Sequence, residues 1–96
     1  MADDDAVPPR VVTIVNTKGL HARASAKFVQ CANKFDARVT VTKEGSGAVS
    51  GSSIMGLMML GAGIGSEITI AANGRQAQAA LDALEALIAG KFGEDS

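Results

Sequence analysis

"ARVTVTK", residues 37–43, decides the fold of this 96-residue chain. Successive side chains of a strand point to opposite faces, so Ala37, Val39 and Val41 lie on one side and Arg38, Thr40 and Thr42 on the other. One face is built for burial and the other for water. Antiparallel sheets open on one side read this way, whereas strands buried between two helical layers read as continuous apolar runs.

The flanking segments supply the rest of the sheet and its cover. "RVVTIVN", 10–16, is β-branched and predicts the first strand. "SEITIAA", 66–72, predicts another, with Ile68 and Ile70 inward. "EGSGAVSG", 44–51, predicts a turn and a short, weakly specified strand. Between residues 22 and 35, Ala24, Phe28, Ala32 and Phe35 recur at helical spacing, with Arg23, Lys27, Gln30 and Lys34 on another face. "SSIMGLMML", 52–60, opens on two serines suited to capping and continues as a short apolar helix. Asn73-Gly74 marks a turn. Residues 75–89 carry a stripe of Ala77, Ala80, Leu81, Leu84, Leu87 and Ile88, and Gly90 is placed to stop that helix.

The order is β-α-β-β-α-β-α, an α+β chain. A four-stranded, mainly antiparallel sheet with three helices on one face is the simplest way to bury these stripes. A ferredoxin-like split βαβ shares the first six elements, so periodicity leaves both topologies open. The domain is expected over residues 10–90. Residues 1–9, with Asp3, Asp4 and Asp5, are expected to form a disordered acidic tail, and residues 91–96 a C-terminal tail.

The formal charge of −1 conceals an asymmetry. Between residues 10 and 90 eight Lys or Arg face five Asp or Glu, a net +3, and Lys18, Arg23 and Lys27 bracket the only histidine, His21. That favours an anionic ligand or an acidic partner. Three phenylalanines and no Trp or Tyr give little to stack on bases, which argues against nucleic-acid binding. A single cysteine, Cys31, forms no internal disulfide. One His and one Cys do not make a metal site. The N-terminus lacks the basic and apolar regions of a signal peptide, and no apolar run reaches the roughly 18 residues of a membrane span, so a cytoplasmic protein is expected.

"GLHARASA", 19–26, puts His21 between a glycine turn and a helix start. The first turn of a helix presents unpaired amides and a partial positive charge, which suit an anion. Arg23 could add charge-assisted hydrogen bonds to phosphoryl oxygens. A surface histidine in a turn fits the spacing equally well. No nucleophile elbow accompanies His21, and Asp36 lies at the far end of the same helix, so a hydrolytic triad is unsupported. "GAGIG", 61–65, follows a helix and precedes a strand, the reverse of a dinucleotide-binding turn. Ser53 reads as a helix cap or a modification site. Met55, Met58 and Met59 suit either a core gap or an adaptable docking face.

Together, "GLHARASA" and "SSIMGLMMLGAGIGSEITI" resemble the two signature motifs of the histidine-containing phosphocarrier (HPr) family of the phosphoenolpyruvate-dependent phosphotransferase system. The spacing of the motifs, the βαββαβα order and the chain length match that family over residues 10–90. The resemblance implies an open-faced β-sandwich and no cofactor. It implies a phosphoryl carrier rather than a stand-alone enzyme: His21 accepts a phosphoryl group from Enzyme I and passes it to a IIA-type protein, with Arg23 stabilising the phosphate. Ser53 matches the serine phosphorylated by HPr kinase/phosphorylase. Ile54, Met55 and Met58 match the apolar surface that meets Enzyme I, with Lys27 beside them as a partner contact, and a monomer is expected. Most members carry proline after the arginine, where this chain has Ala24. Alanine keeps the helix propensity but does not preset the backbone angle as proline does. That alanine and "LIAGKFGEDS" are similar to the nitrogen-type, regulatory branch, whereas "SSIMGLM" is similar to the kinase-regulated branch.

Overall fold

The computed structural model describes residues 7–96. The acidic run expected at the N-terminus lies outside them, apart from Val7, Pro8 and Pro9, of which Val7 packs against the core. Four strands, β1 (Arg10–Thr13), β2 (Arg38–Lys43), β3 (Val49–Ser50) and β4 (Glu67–Asn73), and three helices, α1 (Ala22–Ala32), α2 (Ile54–Met59) and α3 (Ala77–Ala89), follow one another as β1-α1-β2-β3-α2-β4-α3. The sheet order is β1-β4-β2-β3 and every neighbouring pair is antiparallel. This separates the two topologies that periodicity left open. In a ferredoxin-like sheet β3 fills the gap between β1 and β2. Here β4 fills it, pairing Val12 with Ile68 on one side and Val41 with Ile70 on the other.

The alternation in residues 37–43 becomes burial. Val39 and Val41 are buried and Arg38 is exposed, while Val12, Ile68, Ile70 and Ala72 complete the apolar face of the sheet. Phe28 of α1, Leu57 of α2, and Leu81, Leu84 and Ile88 of α3 lie in the same core. The opposite face carries exposed Val11 and the threonines of β1, β2 and β4 and has no helical cover among the described residues, which makes the fold an open-faced sandwich. Burying a side chain such as Leu84 or Phe28 is worth about 1.5–3 kcal/mol, and these residues all draw on one core.

Several boundaries differ from expectation. β1 stops at Thr13, although extended pairing continues: Ile14 N–H donates to Ser66 O (2.8 Å) and Gly65 N–H to Ile14 O (2.7 Å). α1 ends at Ala32, and Lys34 and Phe35 close tighter turns onto Cys31 O and Ala32 O. α3 begins at Ala77 because Gln76 is pinned to the loop before β2: its N–H donates to Asp36 O (3.0 Å) and its Oε1 accepts from Asp36 N–H (2.7 Å). Gly74 makes that approach possible, since a Cβ there would lie 2.8 Å from both Ala37 Cα and Asp36 O.

The expectation for residues 91–96 is corrected. α3 does end at Gly90, but Lys91 and Phe92 take the left-handed backbone (φ 60° and 56°) and turn the chain back into the domain. Phe92 is completely buried. Its transfer into the core, worth about 1.5–3 kcal/mol, is of the same order as the strain of two non-glycine residues at positive φ, roughly 1–2 kcal/mol each. Lys27 Nζ clamps the turn by donating to Phe92 O (2.6 Å).

Candidate functional site

His21 is the N-cap of α1, in extended conformation (φ −74°, ψ −178°), and its side chain makes no capping bond. The first intrahelical bond is Ser25 N–H to His21 O (2.8 Å), so the amides of Ala22, Arg23 and Ala24 precede it and have no carbonyl within the helix. The buried Ser25 hydroxyl donates to Leu20 O (3.2 Å), and Ala24 and Phe28 anchor the helix in the core. Alanine at position 24 therefore starts the helix without proline's preset angle.

The loop before His21 is fixed from the other side. Leu20 N–H donates to Ala62 O (2.9 Å), and Gly19 (φ +64°) lies so close to the 61–65 loop that a Cβ would be 2.4 Å from Ala62 O. The "GAGIG" stretch is thus the wall against which the histidine loop packs. Gly19 is what lets the two backbones approach, since a Cβ added at Gly61, Gly63 or Gly65 would meet nothing within 4 Å.

Lys18, His21, Arg23 and Lys27 line one open cleft together with Gly93, Glu94, Asp95 and Ser96. The Arg23 side chain is exposed and has no ion-pair or hydrogen-bond partner among the described residues. The structure brings together four residues named from the sequence, Lys18, His21, Arg23 and Lys27, and adds two that were not. His21 Nε2 lies 2.5 Å from Glu94 Oε2, and Glu94 Oε1 accepts from Asn16 Nδ2 (3.0 Å). Hydrogen bonding to His21 first, and to Asn16 second, holds the Glu94 carboxyl below its usual range. Nothing local in the sequence links residues 16, 21 and 94. The available signals were an asparagine ending a β-branched run and a phenylalanine two residues before Glu94 in an otherwise polar tail.

Ser53 and the methionines belong to a second element beside α1. Ser53 is the N-cap of α2, and its Oγ accepts from Gly56 N–H (2.9 Å). Only Leu57 of that helix is buried. Ile54, Met55, Met58 and Met59 are exposed, so these methionines do not fill a core gap. The short helix sits on the domain by one side chain and turns an apolar face outward. Cys31 is half-buried, and burial pushes its thiol pKa up. Among the described residues no group of three or more His, Cys, Asp or Glu is gathered to hold a metal, and no helix is long and apolar enough to cross a membrane.

Comparison with known proteins agrees with this arrangement. Residues 9–90 match the family model described as PTS HPr component phosphorylation site. The phosphocarrier protein HPr of Cupriavidus necator is 53% identical over 85 residues, covering 88% of this chain and 94% of the relative. The phosphocarrier protein NPr of Shewanella violacea is 47% identical over 87 residues, covering 91% and 94%. Its similarity is consistent with the nitrogen-type branch. The crystal structure of HPr-C-His from Thermoanaerobacter tengcongensis superposes with a TM-score of 0.87 at 40% identity, covering 94% of this chain and 100% of that one. An HPr from the same organism has also been solved as a dimer. With the motif histidine at a helix start, the β1-β4-β2-β3 sheet and these relatives in agreement, this chain belongs to the HPr family of phosphocarrier proteins of the phosphotransferase system.

Proposed function

We infer that this chain accepts a phosphoryl group on His21 from phosphorylated Enzyme I and passes it to a IIA-type protein. The observation that carries this reading is the setting of the only histidine at the head of α1. The imidazole caps a helix whose first three amides have no intrahelical partner, lies in a cleft also lined by Lys18, Arg23 and Lys27, and has one ring nitrogen without a hydrogen-bond partner among the described residues. Nε2 is taken by Glu94, and Nδ1 has no hydrogen-bond partner among the described residues, so Nδ1 is the nitrogen that receives phosphorus. The helix start and the cations stabilise the phosphoryl charge. The cleft does not enclose it, so two different partners can reach the group in turn. A buried pocket would hold the phosphate and block transfer.

The partner surface in this reading is the exposed face of α2, Ile54, Met55 and Met58, with Lys27 at the edge of the cleft. Met side chains adapt to different apolar partners. Ser53 is a negative switch operated by an HPr kinase/phosphorylase. A phosphate at that helix start is locally tolerated, but it places about −1.5 to −2 charge beside the apolar docking face. The chain acts as a cytoplasmic monomer, and its similarity to both HPr and NPr relatives leaves the sugar-uptake and the nitrogen-type, regulatory pathways both open. The test is incubation with phosphoenolpyruvate and Enzyme I, followed by a search for acid-labile, base-stable phosphate. The parent should label, His21→Ala should fold and not label, and Arg23→Ala should label slowly with partial rescue by Arg23→Lys. Acid-labile phosphate on His21→Ala would refute the assignment.

A further inference from the structure

Asn16 is completely buried, and both groups its side chain meets are acceptors, Gly19 O at 2.9 Å and Glu94 Oε1 at 3.0 Å. The amide must therefore present its NH₂ to them. Its Oδ1 is left buried without a partner among the described residues. An unpaired buried oxygen is unfavourable, so the arrangement holds Glu94 at the expense of Asn16's own satisfaction. Glu94 is itself largely shielded, with a side chain 15% exposed. A carboxylate only accepts, so its contact with His21 puts the ring proton on Nε2 and leaves the Nδ1 lone pair free.

We propose that Glu94, braced by Asn16, is a positioning residue for phosphoryl transfer at His21, fixing the ring's orientation and tautomer and offsetting the positive charge the ring acquires. This rests on the reading of His21 as phosphoryl acceptor. In loading, the Nδ1 lone pair forms a bond to phosphorus, and the bond from phosphorus to the donor breaks with its electron pair leaving on the donor. The ring keeps its proton on Nε2 and becomes cationic. In unloading, a nucleophile of the IIA-type acceptor bonds to phosphorus while the bond between Nδ1 and phosphorus breaks, and that bond's electron pair returns to Nδ1, giving back a neutral imidazole. Keeping the Nε2 proton throughout makes the ring a neutral leaving group. Lys18, Arg23 and Lys27 suit the phosphoryl oxygens but oppose a cationic ring, and Asp95 is the other carboxylate lining the cleft. Glu94 is the one in contact with the imidazole.

His21 is the only histidine, so selective ring ¹⁵N labelling gives a single imidazole to assign. The parent is expected to show a downfield Nε2–H proton protected from exchange. Glu94→Ala should lose it, and Glu94→Gln, which still accepts a hydrogen bond, should keep it in weaker form. With phosphoenolpyruvate and Enzyme I, loading of Glu94→Gln should be slower by about tenfold, the lower end expected for a hydrogen bond to a charged group. Glu94→Ala should be slower still, and both variants should have the parent's backbone ¹H–¹⁵N spectrum. No protected N–H in the parent, or loading at the parent rate in both variants, overturns the proposal. A parent that shows the protected N–H yet takes no phosphate overturns the acceptor reading and the positioning role together, leaving the contact as structural.

Discussion

Replacing Gly19 by alanine should damage the fold and the site together, and the size of the loss follows from two separable terms. Gly19 has φ +64°, and the left-handed region costs an L-residue about 1–2 kcal/mol. A Cβ would also lie 2.4 Å from Ala62 O and 2.7 Å from Gly63 Cα, both backbone atoms that cannot swing aside. Relief requires the histidine loop and the 61–65 segment to separate by several tenths of an ångström. That weakens the bond from Leu20 N–H to Ala62 O, worth about 1 kcal/mol. The expected loss is about 2–4 kcal/mol, a large share of the roughly 5–15 kcal/mol available to a domain. Gly45→Ala is the control, because Gly45 has φ +85° with nothing within 4 Å of the added carbon, so only the backbone term of about 1–2 kcal/mol applies. The assay is urea unfolding followed by far-ultraviolet circular dichroism, since the chain lacks Trp and Tyr. At about 4–8 °C per kcal/mol, the melting temperature of Gly19→Ala should fall by roughly 10–30 °C. A loss no greater than that of Gly45→Ala would show that the two backbones are not in the close contact described.

Phe92→Ala should lose about 3–5 kcal/mol of unfolding free energy, as for a core aromatic; a loss below about 1 kcal/mol would return residues 91–96 to the status of a tail. Ser53→Ala removes the cap on Gly56 N–H and should cost about 1 kcal/mol. Ser53→Asp keeps a cap and should retain stability while slowing the initial rate of His21 labelling, and parent-like labelling of truly phosphorylated Ser53 would leave it as a cap alone. Met58→Glu should raise the apparent KM of Enzyme I for this protein by about tenfold, equivalent to 1.4 kcal/mol, with native circular dichroism. Unfolding of that variant would mean the side chain packs inward.

Local pattern made the central elements legible. The alternation of residues 37–43 marks β2 because its two faces meet different surroundings, and the stripe from Ala77 to Ile88 marks α3 because one face meets the sheet. The position of β4 between β1 and β2 was not legible, since strand order is a choice among long-range pairings that the same faces allow. β3 has only two residues and carries no periodicity. In the site, His21 and Arg23 stood out through their place at a helix start, and Lys27 through its place on that helix. Asn16 and Glu94 are 78 positions apart and meet only because Phe92 is drawn into the core. Hydrophobicity identifies Phe92 as a residue to bury, but the return of the chain after α3 depends on left-handed backbone at Lys91 and Phe92, which neither residue type signals.

The chemical state of the His21 ring decides whether it is the phosphoryl acceptor. Protein carrying ¹⁵N only in His21 is incubated with phosphoenolpyruvate and Enzyme I, and the coupling between ¹⁵N and ³¹P is recorded. The expected result is a single phosphorylated nitrogen, Nδ1, with the proton retained on Nε2. Phosphate on Nε2, or on any residue other than His21, would contradict it.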